Sequence, residues 1–125
     1  MKSKNILIVL TVALLLVMSV VAAVCFLWGG PRSILAGFDK DMQTQYEQFE
    51  LGTRREEVIT KFGSPLRSKE TFCLPSAEVS HKEALARAEK SNAVAYDLWL
   101  NGINWYYCLG FDEDALLAVK AEGND

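Results

Sequence analysis

Few residues in this chain have the type and spacing for chemistry, and the cysteines come first. Cys73 and Cys108 are the two thiols beyond an apolar N-terminal run, while Cys25 lies inside it. An even pair in an exported segment most often closes a disulfide. A loop of roughly 34 residues closed in this way would stabilise the fold by about 3–4 kcal/mol on a chain-entropy estimate. A redox-active pair is the sharper alternative, but there is no C-x-x-C, and widely spaced cysteines are more often structural. His81 is the single histidine and has no Cys or His at metal-ligand spacing, so it reads as a solvated side chain near a helix start. Asp112, Glu113 and Asp114 lack the alternating oxygen ligands and distant Glu of an EF-hand loop, and read as turn residues. No glycine-rich phosphate loop follows a strand, and no serine or cysteine stands beside a candidate base. The expectation is a protein without catalytic residues, metal or cofactor, and without a small-molecule substrate.

Two aromatic residues ask for a different role, and the elements that hold them explain why. Ala93 to Leu100 and Ile103 to Phe111 alternate in the manner of strands, and Asn101-Gly102 between them is the dipeptide of a two-residue type I′ turn. That turn predicts Leu100 opposite Ile103, Leu98 opposite Trp105 and Tyr96 opposite Tyr107. One face then carries Tyr96, Leu98, Leu100, Ile103, Trp105, Tyr107, Leu109 and Phe111 towards the helices. Trp99 and Tyr106 fall on the other face, where exposed aromatics act as anchors of a protein interface. The competing reading packs them under a further helix or against each other. After a turn at Asp112 to Ala115, Leu116 to Ala121 completes a meander.

Two helices must cover that sheet. Leu35, Phe38, Met42, Tyr46 and Phe49 recur at spacings of three and four. Ser33 is one possible cap, but Gly37 weakens the first turns and moves the expected stable start to Asp39. The next helix lies within Leu51 to Pro65. Thr53 and Glu56 have the spacing of a capping box, Val58, Ile59 and Phe62 share a face, and Gly63 and Pro65 stop the helix. Leu66 to Leu74 makes a weak strand because of Lys69 and Glu70. Ser76 to Asn92 reads as a segment with a short surface helix at about 80–91. Ser80 and Glu83 have the spacing to cap it, Glu83 and Arg87 can pair, Asn92 can close it, and its apolar face is Ala84, Leu85 and Ala88.

The N-terminus sets the compartment. From Ile6 to Trp28 no residue is charged, longer than the ~20 apolar residues needed to cross a bilayer. Lys2 and Lys4 precede it, which keeps residues 1–5 cytoplasmic and sends the rest across. Three fates compete. Val21-Ala22-Ala23 suits signal peptidase, although a cleaved signal has an apolar core of only ~7–15 residues. Cys25 is the lipidation candidate, with Val24 before it where a small residue is expected. An uncleaved single-pass anchor, 6–28, with Trp28 as an interfacial aromatic, is the first choice. A tether at 29–32 then leads to a domain at 33–121 and a tail at 122–125. Of 13 basic residues two precede the anchor, leaving 11 against 16 acidic ones, a net −5. That balance argues against nucleic acid and against an anionic membrane surface as partners.

The chain resembles the SmpA/OmlA (BamE-like) family of small envelope proteins. The resemblance rests on Phe49, Leu51, Gly52, Thr53, Arg55, Glu56, Glu57, Val58, Phe62, Gly63 and Pro65. It continues through Trp99, Trp105, Tyr107, Phe111, Asp112, Asp114 and Leu117, and spans about Phe38 to Val119. Ala115 stands where the family prefers Gly. The resemblance implies an α+β fold, a two-helix hairpin packed on a three-stranded antiparallel sheet, similar to the β-lactamase inhibitor protein repeat. It also implies protein binding in the bacterial envelope, accessory to a complex that assembles or maintains the outer membrane. The alternative is an inhibitor or immunity protein that occludes an exported enzyme. The expected address is the inner membrane with the domain in the periplasm; an outer-membrane lipoprotein or a secreted protein is the alternative.

Overall fold

In a computed structural model of the protein, residues 2–27, 29–33, 35–75 and 79–124 are described. Trp28 lies outside them, as do the side chains of Cys25 and Ser80, and with them the interfacial aromatic, the lipidation candidate and the second capping box. Helix α1, Lys2–Leu27, is long and apolar enough to span a membrane or to serve as a signal sequence. None of Lys2–Val24 is buried against the rest of the chain. Two of its hydroxyls bond within the helix: Thr11 donates to the Leu7 carbonyl (2.8 Å) and Ser19 to that of Leu15 (2.9 Å).

The domain is α+β and has three layers, because its sheet is covered on both faces. Helix α2, Lys40–Gln48, starts where its acidic residues indicate: Asp39 Oδ1 accepts from the backbone N–H groups of Asp41 (2.9 Å) and Met42 (3.3 Å). Helix α3, Arg55–Phe62, ends at Gly63, whose φ of 82° is one glycine adopts freely. Its start differs from the capping box the sequence suggests. The Thr53 hydroxyl instead donates backward to the Glu50 carbonyl (2.6 Å), and Arg54 caps without a side-chain bond. Backbone takes over: Arg55 N–H donates to Ala115 O, Leu117 N–H to Thr53 O, and Gly52 N–H to Leu117 O. The helix is thus sewn to the start of the last strand rather than capped by its own side chains.

Four antiparallel strands, not three, form the sheet in the order β1-β2-β3-β4. They are β1 Arg67–Lys69, β2 Ala95–Asn101, β3 Trp105–Phe111 and β4 Leu117–Asn124. The added strand β1 is the weak segment after Pro65, held by pairing with Tyr96–Leu98. At the other end, the expected tail is strand, with Glu122 to Asn124 paired to Tyr107 to Trp105.

The central hairpin is in a different register from the two-residue turn. Leu100 lies opposite Tyr106, Trp99 opposite Tyr107 and Leu98 opposite Cys108. Asn101 belongs to the strand, paired with Trp105, and the loop is Gly102 to Asn104. The cause is a tertiary bond. Buried Asn101 uses its amide as a stand-in for a peptide, accepting from Asp39 N–H and donating to Asp39 O, both at 2.8 Å. A slip of this kind reverses which side chains of β2 face the helices.

Asp97, Trp99 and Asn101 therefore join Trp105, Tyr107, Leu109 and Phe111 on the α2/α3 face, while Tyr96 and Leu98 turn away. The core on the α2/α3 side is aromatic, with Tyr46 stacked on Tyr107 (4.7 Å between centroids) and Phe62 against Phe49, Trp99 and Tyr107 at 5.0–5.6 Å. On the opposite face α4, Val79–Lys90, buries Ala84 and Ala88 with Val119, Ala121, Leu98 and Tyr96. It is a layer of the fold rather than a surface excursion. Ser91 ends it, donating from its hydroxyl to Ala88 O (2.7 Å), and Asn92 makes no left-handed cap.

Candidate functional site

The two aromatic residues singled out as interface anchors do not share a face. Trp99 is 3% exposed, and its Nε1–H donates to Gly63 O (3.0 Å), so it belongs to the core under α3. That is a correction, and the register shift is its cause. Tyr106 lies on the other face, half-buried, beside the layer of α4. There it helps line a groove of about 380 Å³.

This groove is built by three strands and the segment that follows β1. Leu98 and Tyr106 come from β2 and β3, Phe72 to Pro75 fold back over the sheet, and Arg67 and Lys69 of β1 stand along the outer side. Antiparallel pairing puts Arg67 opposite Leu98 and Lys69 opposite Tyr96, so both cations rise on the groove's face of the sheet. Neither forms an ion pair among the described residues; the pairs present are Arg55–Asp97 and Lys61–Glu57. Strand β1 is also the sheet's edge and covers only part of β2. A groove, two available cations and an unfinished edge meet at one place.

Cys73, in the wall of the same groove, meets the buried Cys108 of β3, with their sulfurs 2.9 Å apart. Both are thiols here. The Cys108 thiol hydrogen-bonded to Cys73 holds the Cys73 group below the usual thiol range, with nearby Lys69 acting in the same sense. That same bond, together with burial, pushes Cys108 up. Cys73 is therefore the member that ionises first and would attack in any disulfide-forming step.

The remaining candidates separate. His81 is not a free solvated group: its ring stands 5.4 Å from that of Phe72, and its Nδ1 is buried with no partner among the described residues. Asp112 is a turn former, its Oδ1 accepting from Asp114 N–H (2.9 Å) and Leu116 N–H (3.0 Å). Among the described residues no group of His, Cys, Asp and Glu is placed to hold a metal ion.

Sequence reasoning missed a buried ion pair. Arg55 donates through Nε and Nη2 to Asp97 at 2.7 and 2.8 Å, and Ser68 donates to the same carboxylate at 2.7 Å. The Asp97 side chain is fully buried, and its hydrogen bonds hold the Arg55 guanidinium's pKa above the usual value. A lone carboxylate inside an apolar strand was the available signal. No protein-family model, curated protein or solved structure matches the chain.

Proposed function

We propose that this protein is a non-enzymatic docking module of the bacterial cell envelope, held at the cytoplasmic membrane by α1 with its domain in the periplasm. It serves as an accessory to a complex that assembles or maintains the envelope or its outer membrane. The observation that carries this reading is the groove beside β1. A groove over Leu98 and Tyr106, flanked by available cations at an incomplete sheet edge, suits an extended segment of a partner protein, which adds main-chain bonds to the edge and side chains to the groove. Arg67 and Lys69 favour acidic side chains in that segment.

The envelope address draws on the resemblance to the SmpA/OmlA family, and the orientation on Lys2 and Lys4 ahead of an apolar helix. In that oxidising compartment Cys73 and Cys108 close a disulfide, which fixes Phe72 to Pro75 as one wall of the groove.

Site-specific photo-crosslinking in the producing cell tests the proposal. A photoreactive residue at Leu66, on the groove rim, should capture one envelope protein, and the same residue at Glu57 on α3 should not. Capture from Glu57 alone would place the partner on the wrong face and overturn the reading. Capture of an exported enzyme whose activity is thereby lost would replace an accessory role with inhibition.

A further inference from the structure

The domain begins too close to the apolar helix to float free of a membrane. Ser33 is already buried six residues beyond Leu27, the last residue of α1. Six residues reach at most about 20 Å when fully extended. Gly30–Arg32 form a 3₁₀ turn, which shortens that reach. The segment is also fastened. The Arg32 guanidinium lies 5.1 Å from the ring centroids of both Phe38 and Trp105. The Ser33 hydroxyl accepts from Ala36 N–H (3.1 Å), and Asn101 clasps Asp39.

This clasp brings the tip of the central hairpin to the place where the chain arrives. Gly102 lies so near the turn before α2 that an added Cβ would sit 2.7 Å from Ala36 O. Flanking that contact are two apolar side chains with no cover: Leu35 is 54% exposed and Ile103 62%. We propose that this end of the domain rests on the bilayer, with Leu35 and Ile103 entering its interfacial region. The partner is a lipid surface recognised through apolar contact, so it needs no anionic headgroup. The inference rests on the reading of α1 as an uncleaved anchor. With that end seated, the opposite end, where Leu51 adjoins the start of β4, faces away from the membrane.

Tryptophan quenching by phospholipids brominated on their acyl chains tests this with the full chain in phosphatidylcholine vesicles. The emission lost in Trp28→Phe, against the background of Trp99 and Trp105, reports on the anchor, that added by Ile103→Trp on the hairpin tip, and that added by Leu51→Trp on the far end, where Leu51 is 65% exposed. The expected result is a loss of Trp28 emission, a further loss of the emission that Ile103→Trp adds, and no loss of what Leu51→Trp adds. If Trp28 is quenched but the emission added at position 103 is not, the seating is wrong and the anchor stands. An unquenched Trp28 would remove the anchor, and the seating with it.

Discussion

Arg55 and Asp97 form the most demanding pair of side chains in the domain. A fully buried carboxylate is tolerable only while its charge is answered, and here two guanidinium hydrogen bonds and one hydroxyl answer it. Arg55→Ala leaves Asp97 with Ser68 alone and is expected to destabilise the fold by about 3 kcal/mol, at the lower end for a broken buried pair because Arg55 is partly exposed. Urea unfolding monitored by tryptophan fluorescence would measure it. Tyr107 makes a second residue-scale prediction. Its hydroxyl donates to Gln43 Oε1 (2.6 Å) and accepts from Asn101 Nδ2 (3.0 Å). Burial pushes its pKa up from 10.0 to about 12. Burial also raises that of Tyr46. The unfolded chain loses these protons near pH 10 and the folded chain only at higher pH. Stability is therefore full below about pH 10 and falls as pH rises towards 12, where the folded Tyr107 ionises. Denaturation midpoints across that range should fall for the wild type and fall less steeply for Tyr107→Phe.

At the scale of elements, the turns decide what the side chains can do. Ala115 sits at φ 59°, in the left-handed region that costs a residue with a Cβ about 1 kcal/mol or more. The turn needs that conformation, since Ala115 O receives the first N–H of α3 and Asp112 collects two donors across it. Ala115→Gly is expected to raise stability by about 0.5 kcal/mol, the relieved strain being partly offset by the freer unfolded chain, readable in the same urea titration. Much of the element list was legible in sequence. The uncharged run gave the apolar helix, Asp39 and Asp41 the start of α2, Gly63 the end of α3, and alternation the central hairpin. Register was not legible, because Asn101-Gly102 has the composition of a tight turn while the use of Asn101 is set by Asp39, 62 residues away. That one distant bond moves Trp99 from an expected surface into the core. Strand β1 escaped a firm reading because its residues are exposed and basic, and pairing with β2 alone makes it a strand. The groove was legible only in Tyr106 and Cys73; Arg67 and Lys69 gained meaning once β1 was in place.

As a whole molecule, the chain joins an apolar helix to a small three-layer domain whose two faces have different work. The α2/α3 face is closed by an aromatic core and by Asp97, Asn101 and Gln43, each with hydrogen-bond partners. The α4 face is only partly covered and leaves the groove beside β1 open. An asymmetry of this kind suits a tethered receptor for a partner's extended segment. In the proposed function, Arg67 and Lys69 at the groove hold that segment. The most direct measurement is the size of the native assembly after mild detergent extraction, for the wild type and two double charge reversals. Arg67→Glu with Lys69→Glu alters the groove, and Arg54→Glu with Lys61→Glu alters exposed positions around α3. The expected result is a complex for the wild type and the α3 variant, and an isolated chain with a nearly unchanged melting temperature for the groove variant. A groove variant that keeps the complex, or an α3 variant that loses it while folded, would show that the groove does not hold the partner.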